Sequence, residues 1–264
     1  MNKSCYWDEI WAKTNDDEGF WWWARRETDG VRANKIFAYI KKHSDNLRRL
    51  KTIEVGAGSG VYSLNFAKRG AFVTLMDNSE SAILLARKYF DSVGLSASFV
   101  LMDALNLKPD LLAKFDVAMS FGTVEHYRYP ERFLMARAHT DLVKTGGIVI
   151  ISVPNRLFLP HEILKFYLQR KGKWHLGYEG AFMRHELFRL GNRLGLKNVE
   201  VYGSSFISDI FRYFFIIQGT QLFQEIFRFR IKRVTIKDFS TPLDNLLGGD
   251  LFLMGQKPEP KQLK

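Results

Sequence analysis

One strand-to-helix junction limits the folds open to this chain more than any other feature. TIEV (52–55), a short apolar run, leads at once into Gly56-Ala57-Gly58-Ser59-Gly60, and VYSLNFAKRG follows as a helix closed by Gly70. Glycines at such a junction let the backbone pass close to a bound nucleotide or nucleoside, and the helix N-terminus offers unpaired amides. The pattern is GxGxG, with Val61 standing where a dinucleotide fingerprint has its third glycine. Glu54, just before the loop, would repel a pyrophosphate and suits a ligand that carries an ammonium group.

Downstream the same alternation repeats. FVTLMD reads as a strand, SESAILLARKYFDSVG as a helix started by Asn78 or Ser79 and stopped by Gly94, and SASFVLMD and FDVAMSF as strands. ERFLMARAHTDLVKTGG reads as a helix ending at its paired glycines, and GIVIISVPN as a fifth strand. Strands of this length alternating with helices of ten to fifteen residues mark βαβ units, and the nearly continuous apolar strands predict a mostly parallel sheet buried on both faces. The fold class is α/β. With 46% hydrophobic residues and only 7 prolines in 264, a disordered or fibrous chain is excluded. The expected organisation is a single domain over 1–264: an N-terminal helical lid in 1–50, a core over 51–155, and cap insertions over 156–183 and 204–249, with the aromatic block Phe20-Trp21-Trp22-Trp23 either sealing the edge of the domain or covering a ligand pocket.

Asp77 ends the second strand, seventeen residues beyond Gly60. A carboxylate there can accept hydrogen bonds from both ribose hydroxyls of an adenosine, and Asp103, ending the third strand, can reach the adenine edge. Each acid alone could be a local cap. Together with Glu54 and the glycine loop they are hard to explain that way.

The segments TIEVGAGSGVYSLNFAKRGAFVTLMDNS, MDAL, FDVAMSFGTVEHY and GGIVIISVPN, in this order and spacing, resemble the class I S-adenosylmethionine (SAM) dependent methyltransferases of the type-11, UbiE and UbiG-like branch. The resemblance covers 50–155 well and the last two strands, NVEV and LFLMG, more weakly. It implies a Rossmann-like sheet of seven strands in the order 3-2-1-4-5-7-6 with the last strand antiparallel, and SAM as cofactor with S-adenosylhomocysteine as product. It also implies that Gly56, Ala57, Gly58 and Gly60 wrap the methionine part of SAM with Glu54 supporting the loop. Asp77 would hold the ribose, Asn78 would lie beside the adenine, Asp103 and Ala104 would meet its amino edge, and Phe121 and Gly122 would pass under the methionine end.

SAM already carries an activated methyl group, so a base is needed only for an acceptor such as a hydroxyl. His126, beside Glu125 at the end of the fourth strand, is the candidate catalytic residue, because an imidazole titrates near neutrality and an adjacent acid can orient it. His161, His175 and His185 fall in the region that resembles the family's cap; His185 reads as a surface or helix-capping residue, and His175 as a possible pocket residue. No metal site is expected, since the histidines are scattered and Cys5 is the single cysteine. Ser120-Phe-Gly-Thr replaces the pattern typical of enzymes that methylate base amines, which disfavours nucleic acid without excluding it.

Of the net charge of +11, an excess of nine positive charges lies between 165 and 237, where aromatic and basic residues alternate in LFQEIFRFRIKR. A hydrophobic or amphiphilic small-molecule acceptor, methylated on oxygen, is the expected partner, with peripheral contact to an anionic membrane as a further possibility. RNA or protein methylation through the basic region, and a non-catalytic SAM-binding role, are the alternatives. Monomer and homodimer both stay open. The start, MNKSCYWDEIWAK, lacks the apolar run and cleavage site of a secretory signal, so the expected location is cytoplasmic.

Overall fold

A computed structural model describes residues 3–14, 20–21, 24, 30–44, 47–217 and 239–259. Helices α1 (Lys3–Ala12) and α2 (Val31–His43) precede β1 (Lys51–Val55), α3 (Val61–Lys68), β2 (Phe72–Asp77), α4 (Glu80–Ser92), β3 (Ser98–Leu101) and β4 (Phe115–Phe121). Then come α5 (Glu131–Leu142), β5 (Val143–Pro154), α6 (Leu159–Arg170), α7 (Arg184–Arg193), β6 (Lys197–Gly203), α8 (Phe206–Ile217), the short α9 (Asp244–Leu247) and β7 (Asp250–Gln256).

The strands form one seven-stranded sheet in the order β3-β2-β1-β4-β5-β7-β6, as the resemblance implies. Pairings among β1 to β5 are parallel, and β7 runs antiparallel to both β5 and β6. Period-two alternation sends Ile53, Val55, Ala118, Val149 and Ile151 to a core shared with α5 and α7. Val117, Met119, Ile148 and Ile150 face the other way, onto α2, α3 and α4. Strand order reverses between β1 and β4, where chain leaves the sheet to both sides and a crevice opens above the carboxyl ends.

Local chemistry sets the boundaries. Ser79 caps α4 by accepting from Ala82 N, so of the two starting residues considered it is the serine. α5 stops at Leu142, before the paired glycines where the sequence pattern put its end, and β5 starts at once with the buried Val143. Lys257 Nζ donates to the carbonyls of Thr140 and Val143 and so satisfies groups left open by the helix end. The register between β4 and β5 slips between the Phe115 and Val117 pairings, and Gly146, at φ 75°, takes the left-handed turn inside that irregular stretch.

The aromatic block contributes to the core. Phe20 is buried and stacks on Tyr89 at 3.5 Å and 6°, while Trp21 meets the same pair edge-on. These two residues seal α4 and do not reach the crevice; Trp22 and Trp23 lie outside the described residues. The basic-aromatic run that holds Arg228, Arg230, Lys232 and Arg233 also lies outside them. Within the cap, α6 and α8 touch one another above the ends of β5 and β7.

Candidate active site

Gly56 follows β1, Asp77 ends β2 and Asn78 follows it, Asp103 and Ala104 follow β3, and Gly122 follows β4. All six line one cavity of about 70 Å³ at the point where the strand order reverses. Val55, Met76, Met102, Met135, Thr123, Tyr127 and His126 share the lining with them, and α1 contributes Trp7 and Trp11.

Asp77 is the anchor of the loop. Its Oδ2 accepts from Gly58 N at 2.9 Å and its Oδ1 from Ser79 N at 3.0 Å, so the carboxylate ties the glycine loop to the start of α4. Burial pushes its pKa up, against the pull of those two amides. Asp103 holds its own turn by accepting from Leu105 N at 2.9 Å, and it faces the cavity as well.

Glu54, Ala57, Gly58, Gly60 and Phe121 stand outside the cavity lining. Glu54 turns its Oε2 toward Ser63, accepting from the amide at 3.0 Å and the hydroxyl at 2.5 Å, and clamps the first turn of α3. Its burial drives the pKa to about 8 despite the serine's hydrogen bonds. Both of these bonds use Oε2 and serve the first turn of α3. Ala57 is buried and donates from its N–H to Met76 O. Gly60, at φ 74°, is the N-cap of α3, and a Cβ there would fall 2.3 Å from Leu75 and 3.2 Å from Phe90. Phe121 stacks on Tyr62 at 3.9 Å, and Tyr62 accepts from Arg32 Nη1 at 3.0 Å.

His126 is nearly buried. A carbonyl can only accept, so the 2.9 Å contact with Tyr178 O fixes a proton on Nδ1 and leaves the lone pair on Nε2. Desolvation lowers its pKa, which favours the neutral form. Trp7 packs edge-on against the ring at 4.8 Å. Glu125 Oε1 is 3.9 Å from Nε2, beyond a hydrogen bond, and Glu125 Oε2 is buried without a hydrogen-bond partner among the described residues. Burial pushes the Glu125 carboxyl well above its usual range, so the neutral acid is the favoured form beside His126.

The other histidines separate. His161 is buried between Glu179 and Tyr213, in the cap. His175 is exposed on an outer cleft beside Tyr6 and Lys13, away from the cavity, and its backbone O accepts from the Tyr6 hydroxyl at 2.5 Å. His185 is exposed in α7, where the capping group is Glu186, accepting from Met183 N at 2.7 Å.

Trp7, Trp11 and Asp8 were not anticipated as site residues. Asp8 Oδ1 accepts from Ser79 Oγ and Ser81 N, both at 2.8 Å, docking α1 on the N-terminus of α4, and these bonds lower its pKa. The available signal was the spacing of the two tryptophans, four apart on one helix face.

A family profile for a methyltransferase domain matches residues 53–147. Proteins named ubiquinone biosynthesis O-methyltransferase are similar to this chain: one from Azoarcus sp. (strain BH72) is 36% identical over 160 residues, covering 59% of this chain and 68% of that protein. The chain belongs to the class I SAM-dependent methyltransferases. Another relative of the same name, from Stutzerimonas stutzeri (strain A1501), is 32% identical over 51% of this chain and 58% of its own length. The chain thus spans about half to two thirds of the curated relatives it matches. Among solved methyltransferases, the magnesium protoporphyrin IX methyltransferase from Synechocystis PCC 6803, with bound S-adenosylhomocysteine, superposes at a TM-score of 0.56 with 16% identity, over 92% of this chain and 95% of that one. The [4+2]-cyclase SpnF superposes at 0.55 with 16% identity, over 86% and 82%. A shared methyltransferase fold therefore does not by itself choose the reaction, and the site must.

Proposed function

We propose that this chain transfers a methyl group from SAM to a hydroxyl of a hydrophobic or amphiphilic small molecule. The observation that carries the reading is the crevice lined by Gly56, Asp77, Asn78, Asp103, Ala104 and Gly122 together with His126. The donor set fits the cofactor. Each Asp77 oxygen accepts one backbone N–H and retains acceptor capacity, which matches a ribose diol. Methionine and tryptophan side chains supply the apolar walls an adenine needs. α1 is the element that must shift to make room, because about 70 Å³ is several-fold below the roughly 300 Å³ at which small-molecule pockets begin.

When bound, SAM supplies an electrophilic methyl group on sulfur. The protein's share is alignment, exclusion of water and proton removal. Gly56 and Gly122 leave space at the strand ends, Trp7 and Trp11 shield the crevice from solvent, and neutral His126 can take the acceptor's proton at Nε2. The relatives are named O-methyltransferases, which supports an oxygen acceptor and a base of this kind.

An amphiphilic acceptor also accords with the cap. α6 exposes Leu159, Ile163 and Phe166 along one face and ends near Arg170, Lys171 and Lys173, a pattern suited to peripheral contact with an anionic lipid surface. Among the described residues no helix is long and apolar enough to cross a membrane.

The deciding experiment is calorimetry with S-adenosylhomocysteine, followed by methyl transfer from labelled SAM to fractionated extracts. Binding with label in the organic phase is expected. No binding would end the reading, and label confined to RNA or protein would replace the acceptor class. Binding without any transfer would leave a SAM-binding protein that does not catalyse.

A further inference from the structure

Helix α1 stands between two spaces. Trp7 and Trp11, four residues apart, line the crevice, while Tyr6, Glu9 and Ile10, with Lys13 just beyond the helix, line an outer cleft of about 480 Å³. Across that cleft are Trp174 and His175, in the loop between α6 and α7. The cleft falls within the size range of small-molecule sites. The crevice, at about 70 Å³, has to open for the cofactor alone and leaves no room for the body of an amphiphile as well.

The aromatic walls of the cleft are fixed and apolar. Trp174 donates from Nε1 to Gly177 O at 2.8 Å, and the Tyr6 hydroxyl donates to His175 O at 2.5 Å. Each ring has one proton to donate, and the backbone of the loop takes both, so the walls offer mainly ring carbon to a ligand. Ile10 adds aliphatic surface, and the exposed Glu9, Lys13 and His175 bring polar groups to the lining. Apolar walls with a few polar groups suit the hydrocarbon body of an amphiphile.

Both walls lead to His126. Trp7, next to Tyr6 in the chain, meets the Tyr6 ring edge-on at 5.7 Å and the His126 ring at 4.8 Å. On the loop side Gly177 sits against Tyr6, since a Cβ there would fall 3.2 Å from the Tyr6 hydroxyl oxygen. The next residue, Tyr178, accepts from His126 Nδ1 through its carbonyl at 2.9 Å. The Trp7 ring thus touches a wall of the cleft on one side and the candidate base on the other. A second groove, of about 600 Å³ and walled by Leu105, Leu107, Leu112 and Leu134, meets the crevice at Ala104 and does not include His126, so it offers no approach to the base.

We infer that the cleft between α1 and the 174–177 loop is the acceptor subsite: it holds the apolar body of the methyl acceptor between Tyr6, Ile10 and Trp174, and the acceptor's hydroxyl reaches His126 when the Trp7 ring turns aside. Trp174 is then a specificity-determining contact, and Trp7 is the gate between body and reacting end. The inference rests on the proposed hydroxyl-methylation reading and deepens it by naming where the acceptor binds. A small polar hydroxyl compound leaves the cleft empty and loses the apolar burial it offers. The class selected is a hydroxylated amphiphile whose apolar part extends beyond the group that carries the hydroxyl.

The test uses the full chain labelled with 5-fluorotryptophan, 4-octylphenol as probe and phenol as its counterpart without the apolar tail. Trp7→Phe, Trp11→Phe and Trp174→Phe assign the fluorine resonances. S-adenosylhomocysteine alone should shift the crevice residues Trp7 and Trp11. With it bound, 4-octylphenol should shift Trp174 and Trp7 together and saturably, and calorimetry should show it binding at least about tenfold tighter than phenol. Trp174→Ala should weaken 4-octylphenol by about tenfold or more, Trp174→Leu, which keeps an apolar wall, should recover most of that loss, and both should keep the native S-adenosylhomocysteine affinity. No binding of 4-octylphenol up to its solubility limit, no gain over phenol, a Trp174 resonance that stays in place, a Trp174 shift without one of Trp7, or full affinity in Trp174→Ala each overturns the inference. Failure of S-adenosylhomocysteine to bind refutes the cofactor reading instead, and the fluorine shifts caused by 4-octylphenol alone still decide the subsite.

Discussion

Trp11 lies directly over Gly58: a Cβ built on that glycine would fall 2.4 Å from the indole ring. The loop glycine is thus required twice, by its φ of +52° and by a side chain from a helix more than forty residues earlier in the chain. Gly58→Ala should cost about 1–2 kcal/mol from the left-handed backbone alone, and it should also push α1 off the crevice. Thermal melts and S-adenosylhomocysteine calorimetry check both. The companion variant Trp11→Ala should leave the melt nearly unchanged while speeding ligand dissociation in stopped-flow displacement. A Gly58→Ala protein with native stability and native ligand kinetics would mean that α1 does not cover the loop in solution.

Asp77 joins two structural amides and faces the crevice, so its loss acts on fold and ligand together. Asp77→Ala leaves buried N–H groups on Gly58 and Ser79 without their acceptor, and weakening of S-adenosylhomocysteine binding by about 1–3 kcal/mol is expected. Asp77→Asn keeps an acceptor for one amide and should retain more of the melting temperature than of the affinity. Equal losses in both would make Asp77 purely structural.

Much of this arrangement was legible in the sequence because it is local. The glycine loop, the acids Asp77 and Asp103 and the alternating strands and helices follow from short-range patterns, while the seven-strand order came with the resemblance to the methyltransferase family. What stayed hidden depends on contacts between distant segments. Nothing in WDEIWA says that Trp7 will meet His126 or that Asp8 will cap α4, and the roles of Glu54 and Gly60 turn on neighbours, Ser63 and Leu75, that spacing does not reveal as partners. The aromatic block alone left open whether it seals the edge of the domain or covers a pocket, because the partner that decides for Phe20, Tyr89, lies far along the chain.

Glu54 gives a stability signature in pH. Its folded pKa, about 8, lies above the usual carboxyl value of 4.5, so between those values the native state binds more protons than the unfolded chain. Its contribution is therefore fully present below about pH 4.5, declines as pH rises, and is exhausted near pH 8. Glu54→Gln, which keeps an acceptor for Ser63 and cannot ionise, should flatten this part of the curve. Denaturant midpoints measured at pH 5, 6.5 and 8 test it: the native protein should lose more stability than the variant across that range, and parallel curves would show that Glu54 is already ionised when folded.

His126 separates a base from a scaffold. As a base it works only when neutral, and burial lowers its pKa below the ordinary 6.5, so the acid limb of kcat/KM for a hydroxyl acceptor should fall below that pH. His126→Asn retains a donor for Tyr178 O and so preserves much of the local packing, yet it has no titratable nitrogen. Turnover should drop by about 10²–10⁴-fold, the acid limb should vanish, and S-adenosylhomocysteine affinity should stay within a few-fold of native. The residual activity should climb with pH as the acceptor ionises without help. A variant that keeps both its rate and its acid limb would place the base elsewhere and leave His126 as the bridge between the 178–180 segment and the ring of Trp7.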